Sequence, residues 1–416
     1  MSELNKVVMG NAAREFDVSA NTLLDLRKNF TKELEEGLAD PSKSSLKILP
    51  SFLTTPTGDE TGTYLSLDFG GTNVRVLKVK IWKHGNYKIL KKVEFPLKME
   101  GKYDFTSKNA TGEGLFDFIS KLVELSLDGN TEDEILLGHT FSFPSEQLDL
   151  ANAKLISWTK EFQTQGVEGV NVTELLSKSL LKRNLTNVKP VAVINDTVAT
   201  LLAGAYTHAN TLIGSIYATG HNTCYLEPDY NGEPMIINLE SGGFSKVEQN
   251  TYDKLLDKTS EKPGKQFLEK MVSGRYVGEL YSLAVKQALS SEENFGFDSL
   301  DLCNMAQSVD VKKIVKEKAG YDIQDKEEEE LFIKLATNIM NRSASLISAT
   351  FLGIYYHIRK LPTIAVDGSL YVKNRFLQNI IDENLKKAGG NIRSFKVDDG
   401  SALGAAIAAA MAEGKM

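Results

Sequence analysis

Cysteine is almost missing from this chain. Only Cys224 and Cys303 occur in 416 residues, far apart and with no ligand spacing around them. That argues against a disulfide scaffold or a zinc site, and it fits a reducing compartment. The 5 histidines contain no His-x-x-x-His pair, so nothing supports a histidine metal site. No Lys/Arg cluster stands out, and the net charge is −7, which argues against a nucleic-acid partner. In the one basic stretch, residues 83–92, the lysines are interspersed with apolar residues, as in an exposed strand. The start, Met1-Ser-Glu-Leu-Asn-Lys6, has no apolar core of a signal peptide. The most apolar long segment, Ser343 to His357, is flanked by Arg342 and Arg359 and interrupted by Ser and Thr. It reads as a buried helix, not a membrane span. A cytoplasmic protein without membrane insertion is expected.

What is present is an ordinary globular composition, 42% hydrophobic and 25% charged, long enough for two domains or two lobes. One stretch organises it: Tyr64-Leu-Ser-Leu-Asp68-Phe-Gly70-Gly71-Thr72-Asn73-Val-Arg75, running on to Ile81. Two strands flank a tight turn. The two glycines are expected to take positive φ and to let a ligand approach bare amides. Asp68 sets a carboxylate beside that turn, a suitable place for a phosphate with its Mg²⁺. An ordinary glycine hairpin is the competing reading. The spacing is neither a dinucleotide fingerprint nor a Walker A loop, and Lys78 lies too far along to act as a P-loop lysine.

The rest alternates strand and helix, as an α/β lobe does. Helices are expected over 18–38, 111–127, 171–181 and 197–206, and strands over 87–95, 135–143 and 190–194. A second strand–Gly turn–strand unit follows, from Leu212 through Ala218-Thr219-Gly220-His221-Asn222 to Leu226. Beyond Asp253 the pattern is mainly helical, with long helices over 265–283, 327–359 and 370–388. The acidic run 325–330 reads as a solvated helix start. A last strand runs to Asp367-Gly368-Ser369, and Asp398-Asp399-Gly400-Ser401 opens an Ala-rich helix, a setting that suits an anion or nucleotide.

Five segments end an apolar strand in polar residues: Asp68 to Asn73, Ser142, Asn195-Asp196, Thr219 to Asn222, and Asp367 to Ser369. Ligands of open α/β sheets bind where strands end. Asp196 suits a general base, because partial desolvation raises a carboxyl pKa; it equally suits an N-cap. Lys160 suits a sugar hydroxyl, a phosphate or plain solvent. Glu240 and Glu269 suit sugar hydroxyls or the surface, and His221 alone is more often structural.

These residues carry a resemblance to the eukaryotic-type hexokinases over nearly the whole chain. It rests on Leu67 to Val76, Thr140-Phe-Ser-Phe-Pro144, Ser157-Trp-Thr-Lys160, Val193 to Val198, Gly264 to Met271, Ser273 to Glu279, Arg342 to Thr350, Val366 to Tyr371 and Asp399 to Ala406. The resemblance implies an α/β, actin-like ATPase (ribonuclease H-like) fold, with two lobes closing around a central cleft. It implies an N-terminal region over 1–196 and a C-terminal region over 197–416. The small lobe would come mainly from about 64–196, closed by a helix at about 402–416. The large lobe would come from 197–401 with the N-terminal helix.

The implied activity is transfer of the ATP γ-phosphoryl, with Mg²⁺, to the 6-hydroxyl of glucose or a similar hexose such as fructose or mannose, the first step of glycolysis. By motif position Asp196 is the base, with Lys160 beside it. Ser142, Phe143, Thr159, Lys160, Asn195, Asn222, Glu240 and Glu269 hold the sugar. Asp68 sits near Mg²⁺ through water. Gly70, Gly71, Thr72, Asn73, Arg75, Thr219 and Gly220 meet the phosphates, and Gly368, Ser369, Gly400, Ser401 and Gly404 border the nucleoside. A monomer or homodimer of the short, single-unit type is expected.

Three places depart from the family pattern. His221 stands where a smaller residue is usual, which bears on the nucleotide. Ser241 follows Glu240 where tryptophan is common, which leaves room for a wider sugar site. Val170-Asn171 replaces His-Asp. The alternatives are a hexokinase-like sugar sensor with little or no turnover, motivated by His221 and Ser241, and a chaperone-like ATPase, which has no need of Ser157 to Lys160.

Overall fold

The computed structural model describes residues 1–129, 132–159, 162–387 and 391–414. Lys160 lies outside the described residues, as do Ala388, Lys415 and Met416 at two expected helix ends. The chain forms two compact units, neither continuous in sequence. The first comprises 1–48, 215–223 and 239–396; the second comprises 49–214, 224–238 and 397–416.

The second unit is built on a five-stranded sheet. Its order is Val188–Ile194, Ile135–Phe141, Gly62–Phe69, Asn73–Trp82, Asn86–Pro96. The first three strands run parallel and the last two pairings are antiparallel, so the organising hairpin is the point where direction changes. Six consecutive residues, Tyr64 to Phe69, are buried, because both sheet faces are covered. Leu65, Leu67, Phe69 and Leu137 share a core with Leu115, Phe116 and Ile119 of helix Gly112–Ser126. The Ala-rich helix Gly400–Glu413 packs on the same strands and on helix Asp196–Thr207. Small residues make that close approach possible. A Cβ at Gly138 would lie 1.8 Å from the carbonyl oxygen of Ala405, and one at Gly404 would lie 2.0 Å from that of Ala199.

The first unit is mainly helical. Its axis is the 33-residue helix Lys326–Ile358, on which helices Glu3–Glu15, Ala20–Ala39, Ser299–Ala306 and Arg375–Lys387 pack. Asp325 caps it by accepting from the Glu328 amide. The solvated reading of its acidic start fails at Glu328, which is buried and accepts from the Tyr321 hydroxyl (2.8 Å) and the Gln324 amide (3.0 Å). Inside the unit, Arg342 and Asp253 form a sealed two-pronged pair at 2.7 and 2.8 Å, with the guanidinium over the Phe16 ring. Strands Thr363–Asp367 and Arg393–Lys396 pair in parallel.

Two expected long helices are broken. The first becomes Phe267–Val272 and Gly274–Ala288, with Ser273 extended between them. The cause is tertiary. The amides of Gly274 and Arg275 donate to the carbonyls of Ala218 and Thr219, and a Cβ at Gly274 would lie 2.8 Å from the Ala218 oxygen. The second becomes Ser369–Val372 and Arg375–Lys387. Helix Glu3–Glu15, outside the expected elements, is capped by Ser2. Among the described residues no helix is long and apolar enough to cross a membrane.

Candidate active site

In the second unit the hairpin aligns Asp68 with Arg75 on one side and with Thr140 on the other. Asp68 is buried, and Arg75 donates to its Oδ2 from Nε (3.0 Å) and Nη2 (2.5 Å). Nη1 of Arg75 donates to Asp399 Oδ1 at 3.0 Å. Burial works against the Arg75 charge, but Asp68, through charge and hydrogen bond, and then Asp399 and Glu94 outweigh it and hold the guanidinium firmly protonated. Asp399 takes a left-handed backbone (φ 52) just before helix Gly400–Glu413. Asn73 donates to Glu94 at 3.0 Å.

The turn itself corrects one expectation. Neither Gly70 nor Gly71 has positive φ, so the backbone there does not require glycine. What glycine supplies is space: a Cβ at Gly70 would meet nothing within 4 Å. Thr72 and Asn73 are exposed beside it.

Asn195 and Asp196 divide two roles that the sequence offered to one residue. Asn195 is the cap of helix Asp196–Thr207, accepting from the Thr197 amide (2.9 Å) and hydroxyl (2.6 Å). Asp196 is therefore the first helical residue. Its half-buried carboxylate makes no hydrogen bond among the described residues. Ser142 is half-buried, with its amide on the Phe69 carbonyl (3.3 Å). Phe143 is buried in an aromatic cluster with Phe69, Phe141, Trp158 and Phe162, lying edge-on to Trp158 at 4.8 Å. Thr159 follows Trp158, whose amide donates to Glu168 (2.7 Å) and whose indole donates to the Thr164 carbonyl (2.8 Å). Ser401 accepts on its carbonyl from Thr140 (2.8 Å), and Gly404 is committed to packing against Ala199.

The first unit holds a second cluster. Asn222 donates to Glu240 Oε1 at 3.2 Å and accepts on Oδ1 from the amides of Thr223 (2.7 Å) and Ser241 (3.1 Å). Glu240 itself is left-handed (φ 49, ψ 47), an uncommon conformation for a residue with a Cβ. Glu269 Oε2 accepts the His221 amide at 3.1 Å. It lies so close to the Gly220 turn that a Cβ there would be 2.9 Å from that oxygen. Thr219 ties to the start of helix Gly274–Ala288 through its carbonyl. Gly368 (φ 111) is required, because a Cβ would lie 2.6 Å from the Tyr217 oxygen; Ser369 opens the short helix after it.

Two participants were not picked out in the sequence. Asp399, the second partner of Arg75, was visible only as part of a helix-opening motif. Glu168, which fixes the loop before Thr159, gave no local signal. No three acidic, histidine or cysteine side chains among the described residues converge on a metal position. The donor set suits Mg²⁺ all the same, since that ion keeps several waters and takes one or two carboxylates together with substrate phosphates. Asp68 and Asp399, linked by one arginine, are such carboxylates.

Two hexokinase family models cover residues 8–206 and 212–411. The chain is 35% identical to human hexokinase-2 over 95% of its own length, and that match takes in 47% of the human protein. It thus spans about half the length of several of the curated relatives it matches. It is 32% identical to a hexokinase of Plasmodium falciparum, over 95% of this chain and 90% of that one. A solved Schistosoma mansoni hexokinase complexed with glucose superimposes with a TM-score of 0.84 at 29% identity, over 98% of this chain and 99% of the other. With its α/β, actin-like ATPase fold and these matches along nearly its full length, the chain belongs to the hexokinase family.

Proposed function

We propose that this protein phosphorylates the 6-hydroxyl of glucose and related hexoses at the expense of ATP. The observation that carries the reading is the division of labour at Asn195 and Asp196. With Asn195 accepting the Thr197 amide as the cap, the Asp196 carboxylate is left to take a proton. In the reaction, the sugar oxygen bonds to the γ-phosphorus, its proton passes to an Asp196 oxygen, and the bond from that phosphorus to the β-phosphate oxygen breaks to release ADP. Phosphoryl transfer asks for positioning and charge stabilisation more than for covalent chemistry.

The sugar-hydroxyl role falls to Asn222, Glu240 and Glu269 in the first unit and, by motif, to Ser142, Thr159, Lys160 and Asn195 in the second, and the costs of unpaired buried polar groups make each set selective. Phe143 acts from the aromatic cluster behind Ser142. The phosphate role falls to Arg75, Thr72, Asn73, Gly71 and the open backbone of Gly70 in the second unit, and by motif to Thr219 and Gly220 in the first. The nucleoside role falls by motif to Gly368 and Ser369 in the first unit and to Gly400 and Ser401 in the second. Asp68 would hold Mg²⁺, which would supply neutralisation of phosphate charge. Support comes from family membership and from the glucose complex of the Schistosoma mansoni relative.

The test is MgATP-dependent formation of hexose 6-phosphate from glucose, fructose and mannose, with Asp196→Ala beside the wild type. The expected result is product from wild type and a kcat lowered by about 10² to 10⁴ in the variant, with calorimetric glucose binding kept. Near-normal turnover in Asp196→Ala would mean another group is the base. Sugar binding by wild type without product would replace the kinase reading with that of a sensor.

A further inference from the structure

Of the departures from the family pattern, two are in contact. His221 is buried, and its Nδ1 lies 3.1 Å from the Ile216 carbonyl oxygen. A carbonyl only accepts, so Nδ1 carries the proton and Nε2 is left as an acceptor. Ser241, also buried, places its hydroxyl 3.4 Å from that Nε2 and is the donor. Burial pushes the imidazole pKa down to about 4, against the pull of the Ile216 carbonyl, so the ring is neutral near neutral pH. The backbones on either side of this contact hold the two candidate sugar carboxylates. The His221 amide donates to Glu269, while Ser241 is bonded through its amide to Asn222, which donates to Glu240. Gly242 closes the arrangement: a Cβ there would lie 2.9 Å from the His221 oxygen and 3.0 Å from Glu269 Cβ.

We propose that His221 and Ser241 form a positioning strut that sets the spacing of Glu240 and Glu269, and with it the hexose affinity and selectivity of this chain. The inference rests on the hexose-kinase reading above. Two consequences differ from what the sequence suggested. The imidazole acts on the sugar side and not on the nucleotide. The small Ser241 does not open a wider sugar site, because the His221 ring occupies the room beside it. Nothing passes through the imidazole as a proton carrier; its effect is on geometry, so it belongs in KM and binding and not in the chemical step.

The experiment compares wild type with His221→Ala, His221→Asn, Ser241→Ala and the His221→Ala/Ser241→Ala double variant. Glucose and mannose dissociation constants are read by calorimetry without nucleotide, and KM for hexose and for MgATP by assay. The expected result for His221→Ala is a glucose Kd and KM raised about tenfold, an altered glucose-to-mannose ratio, and a MgATP KM within about twofold of wild type. His221→Asn, whose amide can still donate to Ile216, recovers part of the loss. The double variant is no worse than His221→Ala alone, since both changes cut one strut.

Unchanged hexose binding in His221→Ala and Ser241→Ala, or a change confined to the MgATP KM, would overturn the strut. Should His221→Ala fail to fold, Ser241→Ala and His221→Asn carry the same comparison. A wild type that neither binds nor phosphorylates hexose would instead overturn the underlying kinase reading, so the two failures are separable.

Discussion

Each unit contains an arginine held by aspartate, and the two pairs are built differently. In the first unit Arg342 and Asp253 are sealed, with side-chain exposures of 4% and 1%, and meet in a fork of two matched hydrogen bonds. In the second unit Arg75 keeps 28% of its side-chain exposure and divides itself between two carboxylates, Asp68 and Asp399. The sealed pair joins helix Thr251–Thr259 to the long helix, where exchange of partners would strand a charge. The open pair lies beside a glycine turn with unfilled space, where a phosphate can enter a guanidinium's fork as readily as a carboxylate does. The same chemical pairing is thus closed architecture in one unit and, on the function proposed above, open to ligand exchange in the other.

The contrast can be broken in order of expected effect. Asp253→Ala should be the most damaging to stability, lowering it by about 3–5 kcal/mol, because Arg342 keeps its charge in a sealed interior. Chemical denaturation measures this. Whatever protein remains folded should retain wild-type KM values, and a selective rise in KM would show that the sealed pair also serves the substrate. Arg75→Met should reverse the pattern. We expect a MgATP KM at least about tenfold higher and a lower kcat, with a stability loss of only about 1–2 kcal/mol. A large loss of stability with unchanged kinetics would erase the distinction between open and sealed pairs.

His139 offers the smallest and sharpest test. It lies fully buried between Phe69 and Phe141, and neither ring nitrogen has a hydrogen-bond partner among the described residues. Burial pushes its pKa down to about 3 from an ordinary 6.5. The unfolded chain therefore binds a proton that the folded chain refuses between those values. Stability is full above about pH 6.5 and falls as the pH drops toward 3, by up to about 1.4 kcal/mol per pH unit for this group. His139→Phe should remove that contribution, flatten the acid limb and raise stability at neutral pH by about 1 kcal/mol. Thermal melts from pH 7 to pH 4 measure it. His221, with its pKa near 4, adds a similar slope that the variant leaves in place. An unchanged acid limb would mean that His139 finds a partner in solution.

Much of the frame was legible. The hairpin strands, helices Gly112–Ser126 and Val172–Lys182, and the long helix with Asp325 ahead of it follow from period-2 and period-3.6 patterning and from capping residues. Misreadings cluster where distant chain intervenes. The helix break at Ser273 answers to the carbonyls of residues 218 and 219, and the burial of Glu328 answers to Tyr321 and Gln324. At Asn195-Asp196 both residues are good caps, and only the helix start, which lies one residue earlier than expected, assigns the cap to Asn195. In the site, the Asp68 to Arg75 pairing is local and readable from hairpin register. Asp399, 324 residues from Arg75, is not.

By itself the sequence determined the α/β alternation, the glycine turns, the polar strand ends and the family motifs, because these depend on neighbours a few residues apart. Only the tertiary structure decided that Gly70 serves for space and not for φ, that Gly404 is held by the backbone of Ala199, and that His221 and Ser241 meet. Those outcomes depend on which surfaces are pressed together, and close packing resolves them at a scale of one methyl group.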